Sequence, residues 1–218
     1  MSKLVVLKLS GHLINHREFI QSTLGALKSL AGVARFVLVP GGSVFADFVR
    51  ELQGRMHFSE DTAHWLAIKA MEMYGTYLLS FDESNMLLEA YDLPEIHEAL
   101  SKGKIPLLMP YRVMRASNKL PHSWNVTSDS ISIYVGEILK ASMVILAKPV
   151  DGILDSRGNI VQKMSIVDLG QSGTNVIDSY AVELLRNAKL QIAIYNMLKP
   201  SVLRYIVNGE PGDYTLIE

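Results

Sequence analysis

The sequence predicts an α/β protein: a central, mainly parallel β-sheet covered by helices on both faces. Three observations predict it. Apolar runs of strand length alternate with longer segments of helical period along the 218 residues. The runs are apolar at consecutive rather than alternate positions, which suits strands buried on both faces. Gly, Pro, Ser or Asp bounds each run, marking turns.

Taken in order, Val5-Val6-Leu7 is the first strand, and Phe19, Ile20, Leu24, Leu27 and Leu30 recur at helical spacing behind it. Phe36-Val37-Leu38-Val39 is the second strand, and Val44, Phe45, Phe48, Val49 and Leu52 form the apolar stripe of the next helix. The segment from Ala63 to Tyr74 is apolar almost all round and predicts a buried helix. Tyr77-Leu78-Leu79, Ile105-Pro106-Leu107-Leu108, Val144-Ile145-Leu146 and Ile192-Ala193-Ile194-Tyr195 read as further strands. A hairpin is expected where Asp155-Ser156-Arg157-Gly158-Asn159 separates Gly152-Ile153-Leu154 from Ile160-Val161. In such sheets ligands bind beyond the carboxyl ends of the strands. That directs attention to Ser10-Gly11-His12, Pro40 to Ser43, Ser80 to Asp82, Pro110 onward, and Lys148 to Gly152.

Composition narrows the chemistry. The absence of cysteine excludes disulfides, thiolate metal sites and cysteine nucleophiles. Twenty-one Lys and Arg against 22 Asp and Glu leave a net charge of −1, with no electrostatic footprint for nucleic acid. Lys8 interrupts the apolar start too early for a secretion signal, and no stretch reaches the roughly 18 apolar residues of a membrane span. A cytoplasmic location without membrane or nucleic-acid partners is the expectation.

No P-loop, Rossmann, zincin or nucleophile-elbow signature is present. Two glycine turns are: Lys8-Leu9-Ser10-Gly11 ends the first strand, and Pro40-Gly41-Gly42-Ser43 ends the second and opens a helix. Glycines there let backbone N–H groups approach an anion, and the helix N-terminus adds positive partial charge. Lys8, at the end of an apolar strand, either reaches a ligand or carboxylate or snorkels from a sheet edge. Thr127, Ser128 and Asp129 read as a helix start, where an Asp directed into the crevice would hold Lys8. If Asp129 is only a cap, Asn replaces it at no cost; if it orients Lys8, turnover falls while stability barely moves.

With these motifs in this order, the chain resembles the amino-acid kinase family, which includes acetylglutamate, aspartate, uridylate and isopentenyl phosphate kinases. The resemblance rests on Lys8-Leu9-Ser10-Gly11, Val39-Pro40-Gly41-Gly42, Asn125-Val126-Thr127-Ser128-Asp129, Val150-Asp151-Gly152-Ile153-Leu154, and the late Asn196, Pro200, Gly209, Gly212 and Thr215. It runs nearly end to end. The stretches His64 to Met71 and Pro121 to Asp129 most resemble a small branch found in methanogens and methylotrophs. That branch contains the methanofuran-biosynthesis kinase acting on an aminomethylfuran-methyl phosphate. It usually reads Ser-Trp-Asp where this chain has Ser123-Trp124-Asn125.

The resemblance implies one α/β/α sandwich over residues 1–218, with about eight strands, an acceptor half at about 1–140 and a nucleotide half at about 141–218. It implies transfer of the γ-phosphoryl of ATP, with Mg²⁺, to a small phosphomonoester, (5-aminomethylfuran-3-yl)methyl phosphate being the branch's acceptor. A homo-oligomer, dimer or higher, is expected. Lys8 would contact the transferring phosphoryl and Asp129 would orient it, while backbone N–H groups at Ser10, Gly11, Gly41 and Gly42 would hold phosphate oxygens. Asp151 and Gly152 would lie on the nucleotide side. The family's second lysine is missing from Val176-Ile177-Asp178-Ser179, so Lys148 or Lys163 is the substitute, and Asp178 reads as a helix N-cap. On the acceptor side stand Asp47, Arg50, His64, His122, Asn125 and Thr127. Asp47 and Arg50, three apart on one helix, could equally form a solvent-facing pair. His12 and His16 read as surface residues. The rival functions are another kinase of the family, acting on a different phosphomonoester or a carboxylate, and a silent nucleotide-binding regulator.

Overall fold

The structure, a computed structural model, describes residues 2–117, 119–173, 175–188 and 190–218. Five strands carry the centre of the sheet: β1 (Lys3–Leu9), β2 (Ala34–Pro40), β4 (Ile105–Leu108), β5 (Met143–Lys148) and β7 (Gln191–Asn196). In β2, Phe36, Val37, Leu38 and Val39 are each at most 1% exposed, so both faces are covered. The shorter β3 (Leu87–Ala90), β6 (Lys163–Met164) and β8 (Tyr214–Ile217) complete an eight-stranded sheet in the order β3-β4-β2-β1-β5-β7-β8-β6. Every neighbouring pair is parallel except β7 with β8.

Two cores lie on opposite faces, and β1 alternates between them. Val5, Leu7 and Leu9 enter one together with α1 (Arg17–Leu30) and α9 (Val202–Asn208). Val6 enters the other with α6 (Ser128–Ile138) and α8 (Ser179–Leu185), and the alternation puts Lys8 on that same face. The long α3 (Glu60–Leu79) serves both: Trp65, Ile68 and Met71 pack into the second core, Tyr74 and Leu78 into the first. Only Val49 of α2 (Ser43–Met56) is buried.

The expected strand at Tyr77 to Leu79 is instead the last turn of α3. A continuous apolar run fits a buried helix as well as a buried strand, and here Leu78 packs into a core while Tyr77 and Leu79 lie partly buried against it. Ser80 to Asp82 therefore follow a helix rather than a strand end. The strand actually present in that region, β3, carries Glu89 and pairs with β4 at the sheet edge. The hairpin near Gly152 is present as an antiparallel bridge between Leu154 and Ile160, its turn held by Asp155 accepting from the N–H groups of Arg157 (2.8 Å) and Asn159 (2.9 Å).

After β1 the chain builds to one side through β2, then crosses to β5 on the other. The carboxyl ends of β1, β2 and β5 thus surround the point where strand order reverses, the place where such sheets leave a crevice. Among the described residues, no helix is long and apolar enough to cross a membrane.

Candidate active site

The floor of the crevice is made by the two glycine turns packed against each other. Gly41 donates its N–H to Leu9 O at 2.9 Å, and the Ser43 hydroxyl donates to Gly11 O at 3.0 Å. A Cβ on Gly11 would stand 2.4 Å from Ser43 N, and one on Gly41 2.7 Å from Gly11 N, so the approach requires glycine at both. This corrects the part expected of Gly41: its N–H is already committed to Leu9, and the residue lets the turns meet. The N–H groups of Gly42 and Ser43 open α2, have no acceptor within their own helix, and belong to residues that line the cavity. Ser43 holds a left-handed backbone, φ 54°, a conformation that costs energy for a residue with a side chain. Behind the floor, α3 anchors the first turn: Tyr74 donates to Ser10 O at 2.9 Å and Tyr77 to Ile14 O at 2.8 Å.

Above the floor, Asp129 sits between two lysines. Lys8 Nζ is 3.3 Å from Asp129 Oδ1, and Lys148, the last residue of β5, donates to Asp129 Oδ2. The three side chains are 7%, 3% and 13% exposed. Thr127 is the N-cap of α6, so Asp129 lies in its first turn, where the helix favours negative charge. Burial pushes the Asp129 carboxyl up, but Lys8 and Lys148 together hold it below the usual carboxylate range. Burial pulls the Lys8 ammonium down, and Asp129 opposes that shift without cancelling it. Two ammonium groups against one carboxylate leave a positive excess that suits a phosphate.

A cavity of about 340 Å³ opens from Lys8, Ser10, Gly11 and Gly42 toward Arg50, His64 and Trp124. Arg50 stacks 4.4 Å above the Trp124 ring, whose N–H donates to Gln53 Oε1 at 2.6 Å. Asp47 lines the same wall, and no ion pair joins it to Arg50 among the described residues. Burial, and then the neighbouring His122, push the His64 imidazole down to about 4, so it is neutral at pH 7. His122 stacks on His64 with ring centres 4.3 Å apart, and its Nδ1 is 2.6 Å from Asp61. Asp61 also accepts from the Trp65 N–H at 3.2 Å. Thr127 and His12 line the cavity, whereas Asn125 is exposed, its carbonyl accepting from Tyr180 N at 3.3 Å. His16 faces Glu18 at 3.7 Å.

On the other side, Asp151 accepts from Asn196 Nδ2 at 3.1 Å and pairs with Lys199 at 2.7 Å. Gly152 passes so close to Thr215 that a Cβ there would stand 2.6 Å from its hydroxyl oxygen. Lys163 lies on the edge strand β6, separated from β1 by β5, β7 and β8, and pairs with Glu218 at 2.9 Å. Of the two lysines the sequence left open, Lys148 is therefore the one beside Asp129. Sequence reasoning missed Asp61 and Lys199, read Ser43 only as part of a glycine turn, and took Asp178 for a helix N-cap rather than a catalytic acid.

Comparisons with known proteins identify the family and the fold. A sequence model described as "Amino acid kinase family" matches residues 3–196. The [5-(aminomethyl)furan-3-yl]methyl phosphate kinase of Methanocaldococcus jannaschii is 32% identical over 199 residues, 89% of this chain and 89% of that one. The uridylate kinase of Bartonella henselae is 24% identical over 194 residues, 85% of this chain and 80% of that one. Among solved structures, the UMP kinase of Bacillus anthracis superposes with a TM-score of 0.77 at 21% identity, covering 99% of this chain and 96% of its own. The UMP kinase of Ureaplasma parvum gives 0.76 at 15% identity, covering 100% of this chain and 96% of its own. At those identities the structural likeness speaks to the fold. With one family matched from residue 3 to 196 and a kinase relative 32% identical along 89% of its length, this chain belongs to the amino acid kinase family of phosphotransferases.

Proposed function

We propose that the protein transfers the γ-phosphoryl group of ATP to the phosphate of a small phosphomonoester, giving a diphosphate, with [5-(aminomethyl)furan-3-yl]methyl phosphate as its acceptor. The observation that carries this is the Lys8–Asp129–Lys148 cluster, whose Lys8 lines a cavity that also holds Arg50 stacked on Trp124. The named relative at 32% identity supports the acceptor.

Phosphoryl transfer asks a protein chiefly to align two oxygens and neutralise spreading charge. Lys8 and Lys148 supply that charge, and Asp129 keeps both ammonium groups aimed at one point. Backbone N–H groups at Gly11, Gly42 and Ser43 hold phosphate oxygens without reorganising during the reaction. Arg50, flattened on Trp124, grips the acceptor's phosphate, and Asp47 beside it suits an ammonium on the same molecule. Neutral His64 and Thr127 complete the acceptor wall. Asp151 and Gly152 border the nucleotide half, taken as residues from about 141 to 218. The donor set fits phosphates rather than a bare metal, so Mg²⁺ would arrive on the nucleotide, where it neutralises charge on the phosphate oxygens.

The test is a screen of ADP release with [5-(aminomethyl)furan-3-yl]methyl phosphate, UMP, isopentenyl phosphate, N-acetylglutamate and aspartate, with products identified by ³¹P NMR. Coupled diphosphate doublets from the furan phosphate at the highest kcat/KM are the expected result. An acyl phosphate formed in preference to every diphosphate overturns the acceptor class; preference for UMP overturns the furan assignment alone.

A further inference from the structure

Asp178 carries more than the cap the sequence assigns to it. It is the N-cap of α8, accepting from Ala181 N at 2.7 Å. Its Oδ2 also accepts from Thr127 N at 3.0 Å, Thr127 Oγ1 at 2.7 Å and Ser130 N at 3.0 Å, and its Oδ1 from the Ser130 hydroxyl. A carboxylate offers about four lone-pair sites, so this one is saturated, and all but one of its donors belong to the first turn of α6. Asp129 lies inside that turn, between Thr127 and Ser130. The Thr127 hydroxyl, fixed by donating to Asp178, accepts in turn from Asp129 N at 3.3 Å.

We infer that Asp178 is a positioning residue for phosphoryl transfer: it ties α8 to the first turn of α6 and so fixes the carboxylate that bridges Lys8 and Lys148. The inference rests on the part given to Asp129 above. Asp178 touches neither lysine and no reacting atom. Its charge also reaches Lys8 through space, where it helps keep the ammonium protonated, but its hydrogen bonds act through Thr127 and Ser130, which set where the α6 turn stands relative to β1 and β5. Tyr180 N, in the first turn of α8, adds a bond to Asn125 O just ahead of that turn, at 3.3 Å.

Two substitutions separate positioning from capping. Asp178→Ser keeps an N-cap of nearly equal quality for α8 but cannot span to Thr127 and Ser130. Asp178→Asn keeps the shape but turns an NH₂ group toward at least two donors, whichever way the amide lies. With ATP and [5-(aminomethyl)furan-3-yl]methyl phosphate, and UMP in parallel, both variants should lose kcat on the order of 10- to 10²-fold with each KM within about 2-fold of wild type. In an Asp129→Asn background, Asp178→Ser should add only the small part that its charge contributes at Lys8, far less than in wild type, because the group it positions is gone. Wild-type kcat in Asp178→Ser, or losses that multiply in the double variant, overturns the inference. A fully active Asp129→Asn protein overturns the reading of Asp129 as well, which distinguishes the two failures. Ser130→Ala removes one bond of the same tie while leaving both helix caps and the acceptor wall intact, and the same non-additivity with Asp129→Asn is expected should Asp178→Ser not fold. Hydrogen exchange reads the tie without turnover. The Ser130 amide should exchange on the order of 10-fold faster in Asp178→Ser, and unchanged exchange there overturns the inference.

Discussion

Replacing Asp129 by Asn removes one charge and almost no volume, so its consequences follow from electrostatics. At 3.3 Å and an effective dielectric of about 20, the Lys8–Asp129 attraction is about 5 kcal/mol before desolvation is counted. Wild type offsets the desolvation of two ammonium groups with that carboxylate; the variant leaves both in a site where their side chains are 7% and 13% exposed. Removing one member of a buried ion pair costs about 3–5 kcal/mol. For a domain of this size the melting temperature should fall by about 6–20 °C. This revises the expectation from sequence, under which stability barely moves: Thr127 is the cap, and Asp129 carries a buried charge instead. Activity should fall through Lys8. Burial and Lys148 both favour its neutral form, and Asp129 is the main group opposing them. Without the carboxylate the Lys8 proton leaves more easily, so the alkaline limb of kcat moves to lower pH, and kcat at pH 7.5 drops on the order of 10²-fold. The assay is ADP release from pH 6 to 10 beside thermal melts of both proteins. A variant with wild-type kcat, an unmoved alkaline limb and an unchanged melting temperature would refute the reasoning.

Three further outcomes are expected. Lys148→Met keeps the stem but removes the second ammonium from Asp129, and kcat should fall on the order of 10²-fold with a smaller change in the KM for ATP, as steady-state kinetics will show. Arg50→Ala removes a charged donor from the acceptor wall, so the acceptor KM should rise by about 10- to 100-fold while that for ATP stays near wild type; equal effects on both would mean Arg50 acts through folding. The His64 imidazole titrates near 4 when folded and near 6.5 when unfolded, so the unfolded chain takes up the proton first as pH falls. His64 therefore costs no stability above about pH 6.5 and about 2 kcal/mol at pH 5. His64→Asn should lose less melting temperature than wild type between pH 7.5 and pH 5, and identical losses would remove His64 from the acid response.

How much of this was legible in the sequence depended on how far each partner lies along the chain. The central strands could be read because burial on both faces writes itself as consecutive apolar residues, as in Phe36 to Val39. The same signal misled at Tyr77 to Leu79, because α3 feeds both cores and its last turn is consecutively apolar. The edge strand β3, with Glu89 in its middle, offers no such run. Among the candidate site residues, Lys8 stood out because an ammonium on an apolar strand demands a partner. Between Lys148 and Lys163 the sequence favoured Lys148, which ends a strand where ligands bind, but what separates the two is β5 lying beside β1 while β6 lies at the edge. His122 and Asp61 are 61 residues apart, and Asp178 meets the α6 turn from 48 and 51 residues away. A cap needs only its own helix and can be read locally. A carboxylate shared between two helices needs the topology first, so Asp178 looked ordinary until α6 and α8 were set side by side, and its worth to Asp129 must be sought in paired substitutions rather than in either residue alone.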